Sequence, residues 1–277
     1  MITIKDLSFR YSRRGPAVMN DLSLHLDCGG VYGILGRNGV GKTTLMYLIA
    51  GALTPDKGSV ELYGVDTRRR LPSTLAQLIM VPEETVVPAT TLGKWADERS
   101  YYYPHFSTEL FEHICHEFEL TKDMRLDRLS TGVKKQAALA LAFACRTPLL
   151  MLDEPTNGLD LPSKDTFRRV LAECADEDHT ILVATHQIHD VERLLSNVII
   201  LDNQGLVMSR SISELMSTLR FDVSNDPAVI ASALWSRSGV GGTEVVSLLS
   251  DPADETDVEL EMLFNYMSTR PANNPFK

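Results

Sequence analysis

Apolar and polar residues alternate at the start of the chain. Ile2, Ile4 and the Leu7–Phe9 stretch, then Leu22, Leu24 and Leu26, keep a period of two, which predicts half-buried antiparallel strands. From Val31 the texture changes to short apolar runs: VYGIL (31–35), LIMV (78–81), LLML (149–152), ILVA (181–184) and VIIL (198–201). A strand buried on both faces loses its alternation, so such runs between helical stretches predict a parallel sheet covered on both sides. KTTLMYLIAG (42–51) reads as a helix stopped by Gly51. From about Thr90 to Cys145 there is no strand-like run. That stretch lies between two core strands and predicts an inserted helical subdomain, placed at about 86–147. Beyond about Ser211 the pattern weakens. Short helical patterns (Ile212–Leu219, Ala228–Trp235, Asp257–Met267) flank one strand candidate, Glu244–Leu249, and SRSGVGG (236–242) reads as a flexible loop. The expected division is a cassette over 1–215 and a small C-terminal α/β extension over 216–277.

A length of 277 residues, at about 150 per domain, allows one or two domains with a sizeable core. Lys and Arg number 27 against 37 Asp and Glu, and the net charge of −10 argues against a general affinity for nucleic-acid phosphate. Cys28, Cys115, Cys145 and Cys174 form no CxxC pair, so neither a disulfide framework nor a zinc site is expected. The longest apolar stretch, Ala137–Cys145, has nine residues, far short of the roughly 20 that cross a bilayer. The first residues, MITIKDLSF, lack the apolar block of a signal peptide. A cytosolic, soluble protein is expected, reaching a membrane only through a partner.

The chemistry concentrates in three places. Gly36-Arg37-Asn38-Gly39-Val40-Gly41-Lys42-Thr43 satisfies G-x-x-x-x-G-K-[ST], with a buried strand before it and a helix after it. Glycines let backbone N–H groups close around phosphate, and the following helix offers its positive end. Lys42 would reach the outer phosphates and the Thr43 hydroxyl would ligate Mg²⁺. In LLMLDEP (149–155) two acids follow a buried run, at the strand end where ligands bind in open α/β sheets. Asp153 suits Mg²⁺, and Glu154 is free to orient or deprotonate a water. Third, Ser130 is placed to cap the buried helix that follows it. Lys134 and Lys135 lie in its first turns, where the dipole disfavours cations and a bound anion would reverse the penalty.

Taken in order, Gly36–Thr43, Leu129-Ser130-Thr131-Gly132-Val133, Leu149–Glu154, Asn157-Gly158-Leu159-Asp160 and Thr185-His186 resemble the ATP-binding subunit of ABC transporters, over about residues 1–210. The resemblance implies an α/β P-loop NTPase cassette with a parallel core sheet, an antiparallel amino-terminal β-subdomain and a helical insertion. It implies two subunits that sandwich two ATP molecules with Mg²⁺, and ATP contacts from Gly36, Arg37, Asn38, Gly39, Val40, Gly41, Lys42, Thr43 and Thr44. By the same resemblance Ser130 and Gly132 contact the γ-phosphate held by the opposite subunit, and Asp160 crosses the dimer interface. His186 contacts the γ-phosphate and joins Glu154 and Lys42 as the catalytic set, and Tyr11 stacks on adenine.

Two positions depart from the family pattern. Glu83 stands where the family carries a glutamine that reaches Mg²⁺, which exchanges an amide for a carboxylate still able to ligate the metal. Val133 replaces a glutamine at the end of the signature. Both variations, the aromatic start of the insertion (Tyr101-Tyr102-Tyr103-Pro104-His105-Phe106) and the short extension resemble an exporter-type branch. The resemblance implies Mg²⁺-dependent ATP hydrolysis that drives separately encoded transmembrane permease subunits, docked on the helical subdomain and the loop around Glu83. It also implies a second ATP-binding subunit, no nucleic-acid partner, and a place at the inner face of the membrane. Two alternatives are a soluble ATPase of the same type acting on ribosomes or DNA, and a nucleotide-gated binding module with little turnover. A single cassette, no sustained heptads and the negative charge weigh against the first, and Glu154 weighs against the second.

Overall fold

The structure is a computed structural model that describes residues 1–203, 205–251, 256–269 and 274–276. The chain begins with β1 (Ile2–Phe9) and β2 (Met19–Leu26), paired antiparallel, then β3 (Gly30–Leu35) and helix α1 (Lys42–Ile49). β4 (Lys57–Leu62) and β5 (Val65–Asp66) extend the first pair to a four-stranded antiparallel sheet of order β2-β1-β4-β5. In β1 the strict alternation from Ile2 and Ile4 would put Asp6 on the buried face. Asp6 instead takes φ 48° and a bulge resets the register, so that Leu7 and Phe9 point inward.

A short helix α2 (Pro72–Leu75) leads into β6 (Leu78–Val81), and three helices follow: α3 (Leu92–Ser100), α4 (Thr108–Glu117) and α5 (Thr131–Ala144). Each of these three starts on a side-chain cap: Thr91, Ser107 and Ser130 accept from N–H groups of the first turn. Ala137 to Cys145 are all buried, as an apolar circumference requires. The chain then re-enters the sheet with β7 (Leu149–Asp153), α6 (Leu161–Cys174), β8 (Thr180–Ala184), β9 (Asn197–Asp202) and β10 (Gly205–Ser211).

The core sheet has the order β10-β9-β3-β8-β7-β6, and every neighbouring pair is parallel except β10 with β9. All five compact apolar runs of the sequence lie in it. Its two faces belong to two separate cores. Val31, Leu150, Leu152, Val183 and Ile200 pack with α3 to α6, whereas Ile34, Leu149, Met151, Leu182 and Ile199 pack with α1 and the antiparallel sheet. Each such side chain, fully buried, contributes about 1.5–3 kcal/mol.

The tail differs from the single strand read in the sequence. After α7 (Ile212–Met216) come β11 (Leu219–Ser224), α8 (Pro227–Ser232), β12 (Trp235–Gly239), β13 (Gly242–Leu248) and α9 (Leu260–Ser268), with the strands in order β11-β13-β12. The segment read as a loop at 236–242 is most of β12 and a tight reversal: Gly239 pairs with Gly242 across Val240-Gly241. Residues 252–255, 270–273 and 277 of the extension expected at 216–277 lie outside the described residues. Among the described residues no helix is long and apolar enough to cross a membrane.

Candidate functional site

Because β3, β8, β7 and β6 are neighbours, the loops leaving their carboxyl ends converge. The loop after β3 is the glycine-rich turn. Gly41 has φ 107°, a conformation that favours glycine, and a Cβ on it would fall 2.5 Å from Met19 Cε and 2.9 Å from Val18 Cγ1. Lys42, the first residue of α1, is buried and donates from Nζ to the Gly36 carbonyl at 2.8 Å. Burial pushes its pKa down, opposed by the carboxylates of Glu154, Asp153 and Glu83.

The end of β7 supplies the acids. The Thr43 hydroxyl donates to Asp153 Oδ2 at 2.7 Å, while Asp153 Oδ1 is buried with no hydrogen-bond partner in the structure. Burial pushes the Asp153 carboxyl pKa up, helped by the charges of Glu154 and Glu83 and opposed by the Thr43 hydroxyl. A hydroxyl and a carboxylate side by side, one oxygen orphaned, are hard oxygen donors of the kind Mg²⁺ takes beside phosphate. Among the described residues no three His, Cys, Asp or Glu gather as a metal cluster. Mg²⁺ at phosphate sites needs only one or two protein ligands, so this does not count against it.

Glu154 has φ 45°, a left-handed conformation that costs a non-glycine residue about 1–3 kcal/mol and persists only where surroundings over-determine it. They do. Its N–H donates to the Ala184 carbonyl at 2.8 Å. Its Oε2 accepts from the Thr185 hydroxyl at 2.9 Å, and its Oε1 accepts from the His186 N–H at 3.1 Å and lies 2.8 Å from His186 Nδ1. Lys42 Nζ is 3.9 Å from the same Oε1. The loop after β8 thus grips the carboxylate at the end of β7.

A cleft of about 470 Å³ opens over these groups. Of the residues expected at a nucleotide site it is lined by Tyr11, Asn38, Gly39, Gly41, Lys42, Thr43, Thr44, Glu83, Glu154 and His186. Tyr11 is 65% exposed, and its hydroxyl lies 3.0 Å from Thr44 Oγ1. Glu83 is also tied sideways: its Oε1 accepts from Asn157 Nδ2 at 2.8 Å. Gly36, Arg37 and Val40 shape the turn from behind, the Arg37 carbonyl accepting from Val40 N–H at 3.2 Å. Ser130, Gly132 and Asp160 do not line this cleft. Ser130 caps α5, Asp160 caps α6 by accepting from Ser163 N–H at 3.0 Å, and a Cβ on Gly132 would approach the Gly158 carbonyl to 2.9 Å.

Sequence reasoning missed Val18 on the cleft wall and, more substantially, Lys135. An anion at the start of α5 was the expected compensation for its charge. The side chain instead turns inward, is 2% exposed, and donates to the Glu83 carbonyl at 2.6 Å. The only advance signal was a lysine on a helix otherwise apolar on nearly all sides.

The ABC transporter family model matches residues 19–157, and the ATP-binding protein YtrB of Bacillus subtilis (strain 168) is 32% identical over 217 residues, 78% of this chain and 73% of the relative. The chain belongs to the ABC transporter family. It is similar also to the ATP-binding protein NatA of the same organism, 30% identical over 79% of this chain and 93% of that one. The similarity to Nod factor export ATP-binding protein I of Rhizobium etli, 28% identical, spans 96% of this chain and 83% of the relative. A solved ATP-binding subunit of an ABC transporter superposes with a TM-score of 0.68 at 25% identity, covering 78% of this chain and 91% of its own. A bacterial Atm1-family ABC exporter with ATP bound shares the fold, with a TM-score of 0.65 at 22% identity over 78% of this chain and 39% of its own. The P-loop cassette read from the sequence is therefore the fold, and ATP binding is the property of this ABC domain.

Proposed function

We propose that this ABC subunit hydrolyses ATP with Mg²⁺ and, paired with a second ATP-binding subunit, drives separately encoded permease subunits of an exporter. The observation that carries the reading is the Glu154 carboxylate, held by Thr185 and His186 beside the Lys42 ammonium and next to the Thr43–Asp153 pair. In this reading residues 36–44 cradle the phosphates, and Lys42 leaves the Gly36 carbonyl for the β- and γ-phosphate oxygens. Thr43 and Asp153, with Glu83 at the cleft edge, would hold Mg²⁺, which spreads the charge of the β- and γ-oxygens when bound. Glu154 orients the attacking water and takes its proton as the water oxygen bonds to the γ-phosphorus and the bond to the ADP oxygen breaks. His186 fixes the Glu154 carboxylate and touches the γ-phosphate, and Tyr11 covers the adenine. The position of Ser130, Gly132 and Asp160 away from the chain's own cleft supports their action on the nucleotide of the paired subunit.

The permease reading has its own support. A groove of about 490 Å³ is lined by Pro82 and Glu84, on either side of Glu83, and runs between the sheet edge and the helices past Trp95, Arg99 and Tyr103. Val86, Tyr101 and Tyr102 stand exposed nearby in sequence at 88%, 86% and 66%. Docking there would connect a membrane partner to the cleft through one loop. It would hold the subunit at the inner face of the membrane. The export direction rests on the Nod factor export protein, whose similarity runs on into the residues after 216.

Phosphate release from Mg-ATP by the wild type and by Glu154→Gln tests the central step. The variant is expected to turn over about 100-fold slower or worse, the usual share of a general base, while still binding nucleotide. A wild type no faster than the variant would exclude hydrolysis through this residue.

A further inference from the structure

Lys135 lies outside the phosphate cradle, yet it is the point where two loops of the site meet helix α5. Its ammonium donates to the Glu83 carbonyl at 2.6 Å, to the Glu154 carbonyl at 3.3 Å and to the Pro82 carbonyl at 3.5 Å. A lysine has three donors, and each has a carbonyl in reach. Burying an ammonium is costly unless its donors are met, so a lysine this buried (2% exposed) is held in place by those carbonyls and holds them in turn. The bond to Glu83 is short, and the other two are longer.

What those carbonyls belong to gives the contact its meaning. One is that of Glu154, whose left-handed backbone needs outside restraint. The same carbonyl also accepts from Asn157 N–H at 3.2 Å, so Lys135 completes its second lone pair. The others belong to the loop after β6, and Asn157 Nδ2 clasps the Glu83 carboxylate from the opposite side at 2.8 Å. Main chain and side chain of Glu83 are thus both tied toward the Glu154 loop. Lys135 rides on α5, five residues after its Ser130 cap, or about 7.5 Å along the axis at 1.5 Å per residue. A rigid helix passes a shift at its start straight to that ammonium.

We propose that Lys135 is a positioning residue for hydrolysis, tying α5 to the backbones of Glu154 and Glu83 so that the water-orienting carboxylate is aligned only while α5 is seated. The inference rests on the hydrolytic reading above and adds a mechanical link: engagement of the α5 start by the paired subunit's nucleotide reaches Glu154 through one side chain. The ammonium touches neither nucleotide nor water. Its loss therefore changes the alignment of the reacting groups and leaves nucleotide affinity alone.

Two variants separate this from a merely structural lysine. Lys135→Met keeps length and packing but removes all three donors, whereas Lys135→Gln keeps two N–H donors on a shorter arm. Lys135→Met is expected to lower kcat about 10- to 100-fold, the scale of a misplaced catalytic group, with the affinity for a fluorescent ATP analogue within about twofold of wild type. Lys135→Gln is expected to recover a large part of that loss. Hydrogen–deuterium exchange in the nucleotide-free chain should quicken at 82–87 and 154–159 in Lys135→Met and stay unchanged across α1. Wild-type kcat in Lys135→Met, equal losses of kcat and affinity, or unchanged exchange at both segments would each overturn the proposal. If Lys135→Met does not fold, the same readouts on Lys135→Gln decide it: a partial loss of kcat with quicker exchange at 82–87 and 154–159 and nucleotide affinity within about twofold of wild type supports the proposal, whereas wild-type kcat and exchange, or equal losses of kcat and affinity, overturn it. A wild type without phosphate release would instead defeat the hydrolytic reading, and the exchange result would still judge the tether.

Discussion

At Asp153 the two carboxylate oxygens meet unlike surroundings, and the difference bears on the metal. Its place after LLML identified it as an acid at a strand end, because a motif of fixed spacing keeps its meaning in one stretch of chain. What the spacing could not give is the asymmetry of its two oxygens, one taken by the Thr43 hydroxyl at 2.7 Å and the other buried and unpartnered. That orphan predicts a metal dependence. Asp153→Asn should raise the Mg²⁺ concentration needed for half-maximal phosphate release by about tenfold or more, and a chelator should stop release by the wild type. A Mg²⁺ titration unchanged in the variant would remove Asp153 from the metal site. The clasp of Glu83 by Asn157 and the inward turn of Lys135 join positions 74 and 52 residues apart, and no local pattern announces a pairing of that kind.

At the scale of elements, the core sheet was legible because strands buried on both faces must be continuous apolar runs, and five such runs were present. The tail was not legible. β12, WSRSG, is mostly exposed and contains serine and glycine, so neither hydrophobic period nor β-propensity separates it from a loop; its pairing with β13 decides it. β11, LRFDVS, begins only two residues after α7, and the apolar spacing of Ile212, Leu215, Met216 and Leu219 continues a helical pattern into its first residue. The bulge in β1 sets a further constraint that only the fold reveals. Gly58 has φ 77°, and a Cβ there would lie 2.2 Å from the Lys5 carbonyl oxygen and 2.5 Å from that of Asp6. Backbone cannot yield as a flexible side chain does, so Gly58→Ala should destabilise the chain by about 1–3 kcal/mol or more in denaturant unfolding. An unchanged midpoint would mean that the bulge is softer than this packing implies.

Across the whole molecule, one continuous core joins the helical insertion, one face of the central sheet and the tail. Phe111 and Leu139 share it with Ile200, Phe221, Val246, Leu263 and Tyr266. The extension is packed into the cassette's own interior, although composition alone marked it only as a weaker texture. The other large-scale feature is a division. Lys42, Thr43, Glu154 and His186 face one cleft, while Ser130, Gly132 and Asp160 face elsewhere. In the proposed function, cleavage of the terminal phosphate requires polypeptide from two cassettes. The direct measurement is phosphate release per chain over a dilution series, with sedimentation at each concentration reporting the species present. The account predicts a rate that follows the two-cassette species and vanishes as single 30.8 kDa chains take over. A solitary chain releasing phosphate at the full undiluted rate would contradict it.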